Sequence, residues 1–92
     1  MEQNVLDERA RPVETRFELA AWRMVERWLE AGQILVSAGD VRMAREFLEH
    51  TGCRVEDVPG LRVRVVNGDG RAQEMTREAA VIIALRQLAA RV

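Results

Sequence analysis

The run Ala79-Ala80-Val81-Ile82-Ile83-Ala84-Leu85 constrains this chain more than any other stretch. Its residues are apolar without a break, so a helix built on it is hydrophobic on every side and has to be covered from more than one direction. At helical spacing Val81, Ala84, Leu85, Leu88 and Val92 point one way, while Ala79, Ile82, Ile83 and Ala90 point nearly the opposite way. The remainder of the chain must supply two covering layers, or one layer and a second copy of itself. Because a chain of 92 residues buries only about 60 to 65% of its unfolded surface, association of two copies is a natural source of the missing burial, and a homodimer is expected.

The segment preceding this helix has the other periodicity. Leu61, Val63 and Val65 alternate with Arg62 and Arg64, the two-residue repeat of a strand with one wet face. Asn67-Gly68-Asp69-Gly70 follows, and both Asn-Gly and Asp-Gly suit a tight hairpin turn. Residues 71–75 form the return strand, after which Thr76 caps the final helix and Glu78 lies in its first turn, where the helix dipole favours an acid. An isolated two-stranded hairpin is marginal, so the inner face of Leu61, Val63 and Val65 is expected to rest on the final helix.

Two amphipathic helices come first. Pro12 and Gly32 punctuate the first, with Phe17, Ala20, Ala21, Met24, Val25, Trp28 and Ala31 on one face. Arg16, Arg23, Glu26, Arg27 and Glu30 take the other face, and Leu19, Trp22 and Leu29 are apolar residues outside the main stripe. Ile34-Leu35-Val36 reads as a short strand or a buried crossover. Ser37 then caps the second helix with Asp40 three residues on, a capping-box spacing, and Gly52 ends it. Its inner stripe is Val41, Ala44, Leu48 and Thr51, with Phe47 at the flank. The fold class is α+β in the order α-α-β-β-α, with residues 1–11 as a flexible polar tail and residues 12–92 as a single domain.

Composition excludes more than it assigns. Fourteen basic residues, all arginine, stand against fifteen acidic ones, and the net charge of −1 provides no global attraction to nucleic acid or anionic membrane. The chain has one cysteine and no apolar run long enough to span a bilayer, and its first residues lack a secretion signal, so the expectation is a cytoplasmic protein without membrane contact. His50 and Cys53 lie three residues apart but fall short of the four ligands zinc prefers, and the Gly68-Asp69-Gly70 turn lacks the rest of a phosphate loop. No metal, no cofactor and no catalytic residue is assigned.

Two functional expectations remain. The first is a small non-enzymatic interaction module (an adaptor, inhibitor or accessory subunit) with Leu19 and Trp22 on helix one and Ile82 and Ile83 on the final helix as interface residues. Trp beside Arg is a common interface anchor. The alternative is a DNA-binding transcriptional regulator of phage or mobile-element type, with Arg62, Arg64 and Arg71 giving the hairpin a basic outer face that grips phosphates. The ten residues from Gly70 to Ala79 resemble the hairpin-to-helix junction of some phage regulatory and antirepressor proteins, a likeness that implies no residue roles.

Overall fold

The protein is described by a computed structural model covering residues 12–91. Its order is α1 (Val13–Ala31), α2 (Ala38–His50), β1 (Arg54–Val58), β2 (Arg62–Val66), β3 (Ala72–Thr76) and α3 (Arg77–Ala89). The three strands form an antiparallel sheet in sequence order, with β2 in the centre. The expected tail, residues 1–11, lies outside the described residues.

Each helix starts and stops where its local chemistry dictates. Pro12 precedes α1, and Gly32 closes it in the left-handed conformation at φ 72°, its N–H bonding to the Trp28 carbonyl at 2.9 Å. A residue with a Cβ pays a steric cost in that conformation, and glycine does not. At the start of α2, Ser37 Oγ accepts from Asp40 N at 3.1 Å and Asp40 Oδ2 accepts from Ser37 N at 3.0 Å, the reciprocal pair of a capping box. Thr76 Oγ1 accepts from Ala79 N at 3.1 Å and starts α3.

The helices meet the sheet in layers. The starts of α2 and α3 lie together, since Ser37, Val41, Thr76 and Arg77 line one concavity, and Thr51 at the end of α2 bonds Gln87 late in α3. These two helices therefore run parallel over the sheet. α1 runs antiparallel to α2, tied along its length by Arg27–Asp40, Arg16–Glu46 at 3.2 Å and Glu14–His50 at 3.7 Å. The shared core contains Phe17 and Met24 of α1, Phe47 and Leu48 of α2, Val63 of β2 and Val81 of α3, all essentially without solvent contact. Phe17 and Phe47 stack with centroids 4.7 Å apart, a favourable aromatic pair beyond simple burial.

Several expectations change here. The third strand, β1, was not anticipated and pairs with β2 from Arg54↔Val66 to Val58↔Arg62. Leu61 is not on the inner face of the hairpin: it sits in the β1–β2 turn at φ 58°, 72% exposed. Phe47, expected at the flank of α2, is at its centre. Val25 and Ala31 lie outside the core, and Ile34 and Leu35 are exposed in an irregular connection where Trp28 Nε1 donates to the Leu35 carbonyl at 2.8 Å. The Asn67–Gly70 turn forms as expected, but only Gly70, at φ 90°, needs the left-handed region. Gly70 N donates to the Asn67 carbonyl and Asn67 N to the Arg71 carbonyl, a three-residue hairpin loop closed by a bulge glycine.

The final helix is covered from two directions, by the sheet as expected and by α2. α2 is its principal neighbour and the sheet takes a second side, while α1 touches it only lightly. Ala80, Val81 and Ala84 are buried as a result, whereas Leu85 and Leu88 remain half-buried.

Candidate functional site

The light contact between α1 and α3 leaves a groove. Along α1, Glu18, Trp22, Val25 and Leu29 recur at steps of four, three and four residues, a second stripe beside the buried one. The first three of these, with Ala21, form one wall of a concavity of about 240 Å³, and Leu85, Leu88 and Ala89 of α3 form the other. Every lining side chain except Glu18 is apolar. Trp22 is 68% exposed at the lip, and Leu29, 77% exposed, extends the apolar stripe one turn further along α1. Beyond the groove's other end Arg91 reaches Glu14, so the two helices run antiparallel along it.

The expected interface residues divide. Trp22 is at the groove, whereas Leu19 is half-buried and outside its lining. Ile82 is half-buried one turn before Leu85, and Ile83 faces the sheet side of α3, lining a separate small concavity with Val65, Met75 and Gln87. Ile83 thus lies on a different side of α3 from the groove, and Ile82 is outside the groove's lining but one turn from Leu85. The residues missed were Glu18, Val25, Leu85, Leu88 and Ala89. Their signal was partly visible as the second stripe on α1, but the contribution of α3 depends on tertiary placement.

The hairpin arginines do not assemble into one basic face. On the outer side of the sheet Glu56, Arg64 and Glu74 lie in one cross-strand row. Arg64 donates to Glu74 Oε2 at 2.9 Å and approaches Glu56 Oε1 at 3.5 Å. Its hydrogen bond and charge interaction with Glu74, followed by the charge of Glu56, raise the guanidinium pKa above its ordinary value. Arg62 is at one end of β2, opposite Val58 and Thr76. Arg71 is beyond the other end, paired with Asp69 at 3.6 Å and five residue levels from Arg62, about 16 Å at strand rise.

The remaining polar candidates have separate partners. His50 pairs with Glu14, while Cys53 Sγ lies 3.8 Å from Asn67 Oδ1 and 3.9 Å from Thr51 Oγ1. Among the described residues no three His, Cys, Asp or Glu side chains converge on a common point. The concavity where α2 and α3 begin combines Arg77 with Glu78, and the hydroxyls of Ser37 and Thr76 are occupied as helix caps. No helix among the described residues is long and apolar enough to cross a membrane. No protein-family model matches the chain, and no curated protein or solved structure shows significant similarity to it.

Proposed function

We propose that this chain is a non-enzymatic protein-interaction module and that the α1–α3 groove, with Trp22 at its lip, is its docking surface. The observation that carries this reading is the exposure of Trp22 beside an apolar groove in a domain whose core is already filled by Phe17, Met24, Phe47 and Leu48. A scattered exposed apolar residue needs no explanation, but a contiguous patch rimmed by charge is characteristic of interaction sites. Trp supplies a large contact area with few rotatable bonds, which is why it dominates binding energy where it is buried by a partner.

An adaptor, inhibitor or accessory subunit needs only such a surface and a rigid support. The support here is the stacked Phe17–Phe47 pair under α1 and the ion pairs that hold α1 against α2. The test is a photo-crosslinking amino acid in place of Trp22, with the same group at exposed Arg42 as control, irradiated in the cells that make the protein. A discrete adduct at position 22 alone is expected, and its mass identifies the partner. Adducts no more frequent at 22 than at 42 would remove the groove as a docking surface.

A further inference from the structure

Building on that reading of the groove, we infer that its occupant is a second copy of the same chain, related by a two-fold axis along the groove, so that α1 of each protomer lies over α3 of its partner. A charge on one wall and a charge beside the other fit this arrangement. Glu18 lines the α1 wall, and Arg86 sits at the solvent edge of α3, one turn from Ala89; among the described residues neither has an ion-pair partner. The antiparallel register sets Glu18 beside Leu88 and Ala89, and Trp22 nearer Leu85, so Arg86 falls between the levels of Glu18 and Trp22.

A two-fold axis along the groove exchanges its walls without changing height. It brings Glu18 of one copy to Arg86 of the other, and by symmetry the same contact forms a second time. It also lays Trp22 over the half-buried Leu85 and Leu88 of the partner, so that each groove receives the other's exposed ring. An axis across the groove would instead set α1 over α1 and α3 over α3, keeping Glu18 of one copy away from Arg86 of the other. The Glu18–Arg86 contact therefore forms only with the axis along the groove.

The available area fits a reversible dimer. The thirteen residues of α3 span about 20 Å, and two helices side by side are about 20 Å wide. Trp22 at 68% exposure contributes on the order of 150 Å² by itself. Such a face is about 400 Å² in projection, so even with side-chain relief it falls below the roughly 800 Å² per partner of a standard interface, in the range of weak, reversible contacts. Because each protomer's core is complete without the partner, dissociation leaves a folded monomer and association is expected in the micromolar range.

Sedimentation equilibrium on four samples tests the inference: the unaltered chain, Glu18→Arg, Arg86→Glu, and an equimolar mixture of these two variants. The unaltered chain is expected to dimerise. Each charge reversal alone places like charges at both symmetry-related contacts and weakens dimerisation about fivefold at each, hence about 25-fold overall. The mixture restores association as a heterodimer, because each variant then meets the opposite charge at both contacts. Trp22→Ser, in which a surface ring alone is removed, is expected to lose at least a hundredfold while keeping the circular dichroism of the folded chain.

A monomer at high micromolar concentration would overturn the second-copy inference while leaving the groove open to the foreign partner that crosslinking at position 22 would reveal. Dimers unaffected by the reversals or by Trp22→Ser would place the interface elsewhere, and failure of the mixture to associate would reject the two-fold arrangement. If position 22 also captured nothing, the docking reading itself would fall.

Discussion

Asp40 is the one charged residue buried among the described residues, and removing its carboxylate tests how α1 and α2 are joined. One oxygen, Oδ2, performs two tasks: it accepts from the Ser37 backbone N–H at 3.0 Å, closing the capping box, and it pairs with Arg27 of α1. Asp40→Ala takes away the returning half of the box, about 1 kcal/mol. It also removes a negative charge from the first turn of α2, about 0.5 kcal/mol. The pair with Arg27 adds about 1 kcal/mol, a value kept low because the Arg27 side chain is 44% exposed and turns to water when its partner is lost.

The total is about 2 to 3 kcal/mol from a domain whose stability is expected at about 5 to 14 kcal/mol. At about 4 to 8 °C per kcal/mol for a chain of this size, Tm falls by about 10 to 20 °C. Asp40→Asn keeps an acceptor for Ser37 N–H and loses the charge, so it should cost about half as much. Urea unfolding of Asp40→Ala, Arg27→Met and the double variant gives the coupling between the two side chains, expected at about 1 kcal/mol. A loss below 0.5 kcal/mol for Asp40→Ala, or no coupling with Arg27, would refute the view that this carboxylate joins the two helices.

Two further predictions concern the sheet. Gly70→Ala should destabilise by about 1 kcal/mol because Gly70 is held at φ 90° with open space around it, whereas Gly68→Ala, free of that constraint, should be near neutral; thermal unfolding of both separates backbone strain from crowding. Since the acids of Glu56 and Glu74 flank Arg64 and about 16 Å separates Arg62 from Arg71, labelled duplex DNA should show no saturable anisotropy change at about 0.15 M salt with tens of micromolar protein, and steeply salt-dependent binding would instead revive the hairpin as a phosphate-gripping element.

The elements that could be read directly were those whose chemistry is local. Pro12, Gly32, Ser37 with Asp40, and Thr76 mark helix ends through contacts within a few residues, and the periodicity of Phe17, Ala21, Met24 and Trp28 describes a face whatever it packs against. β1 was invisible for a physical reason. Its inner face carries Val55 but also Asp57, which pairs with Arg45 of α2 at 3.2 Å, so the alternation that announces a half-buried strand is missing. The Asp57 side chain is 62% exposed at the rim of that face, and a charge there on an edge strand also discourages further pairing. Leu61 misled in the opposite way: it continues the spacing of Val63 and Val65 by one step, yet the β1–β2 turn claims it. Of the candidate site, Trp22 was legible as an apolar residue on a charged surface. Its opposite wall was not, because no local pattern states which side of α3 the other helices leave uncovered.

That uncovered side follows from where α1 packs: Phe17 and Met24 are buried with Phe47 and Leu48 of α2, and polar contacts along the same flank accompany that packing. Arg16, Arg27 and Glu14 hold α1 to α2 through Glu46, Asp40 and His50, so three contacts spread over the length of α1 draw it toward one neighbour. Toward α3 the only ion pair among the described residues is Arg91 with Glu14, at the far end, where the Arg91 guanidinium also lies 5.6 Å from the Phe47 ring centroid. Between that tether and the open end of α1, nothing polar closes the gap, and the apolar side chains of Leu85 and Leu88 are left half-covered. The groove is thus left where α1 buries its core stripe against α2 and touches α3 only lightly, and the exposed Trp22 stands at its lip.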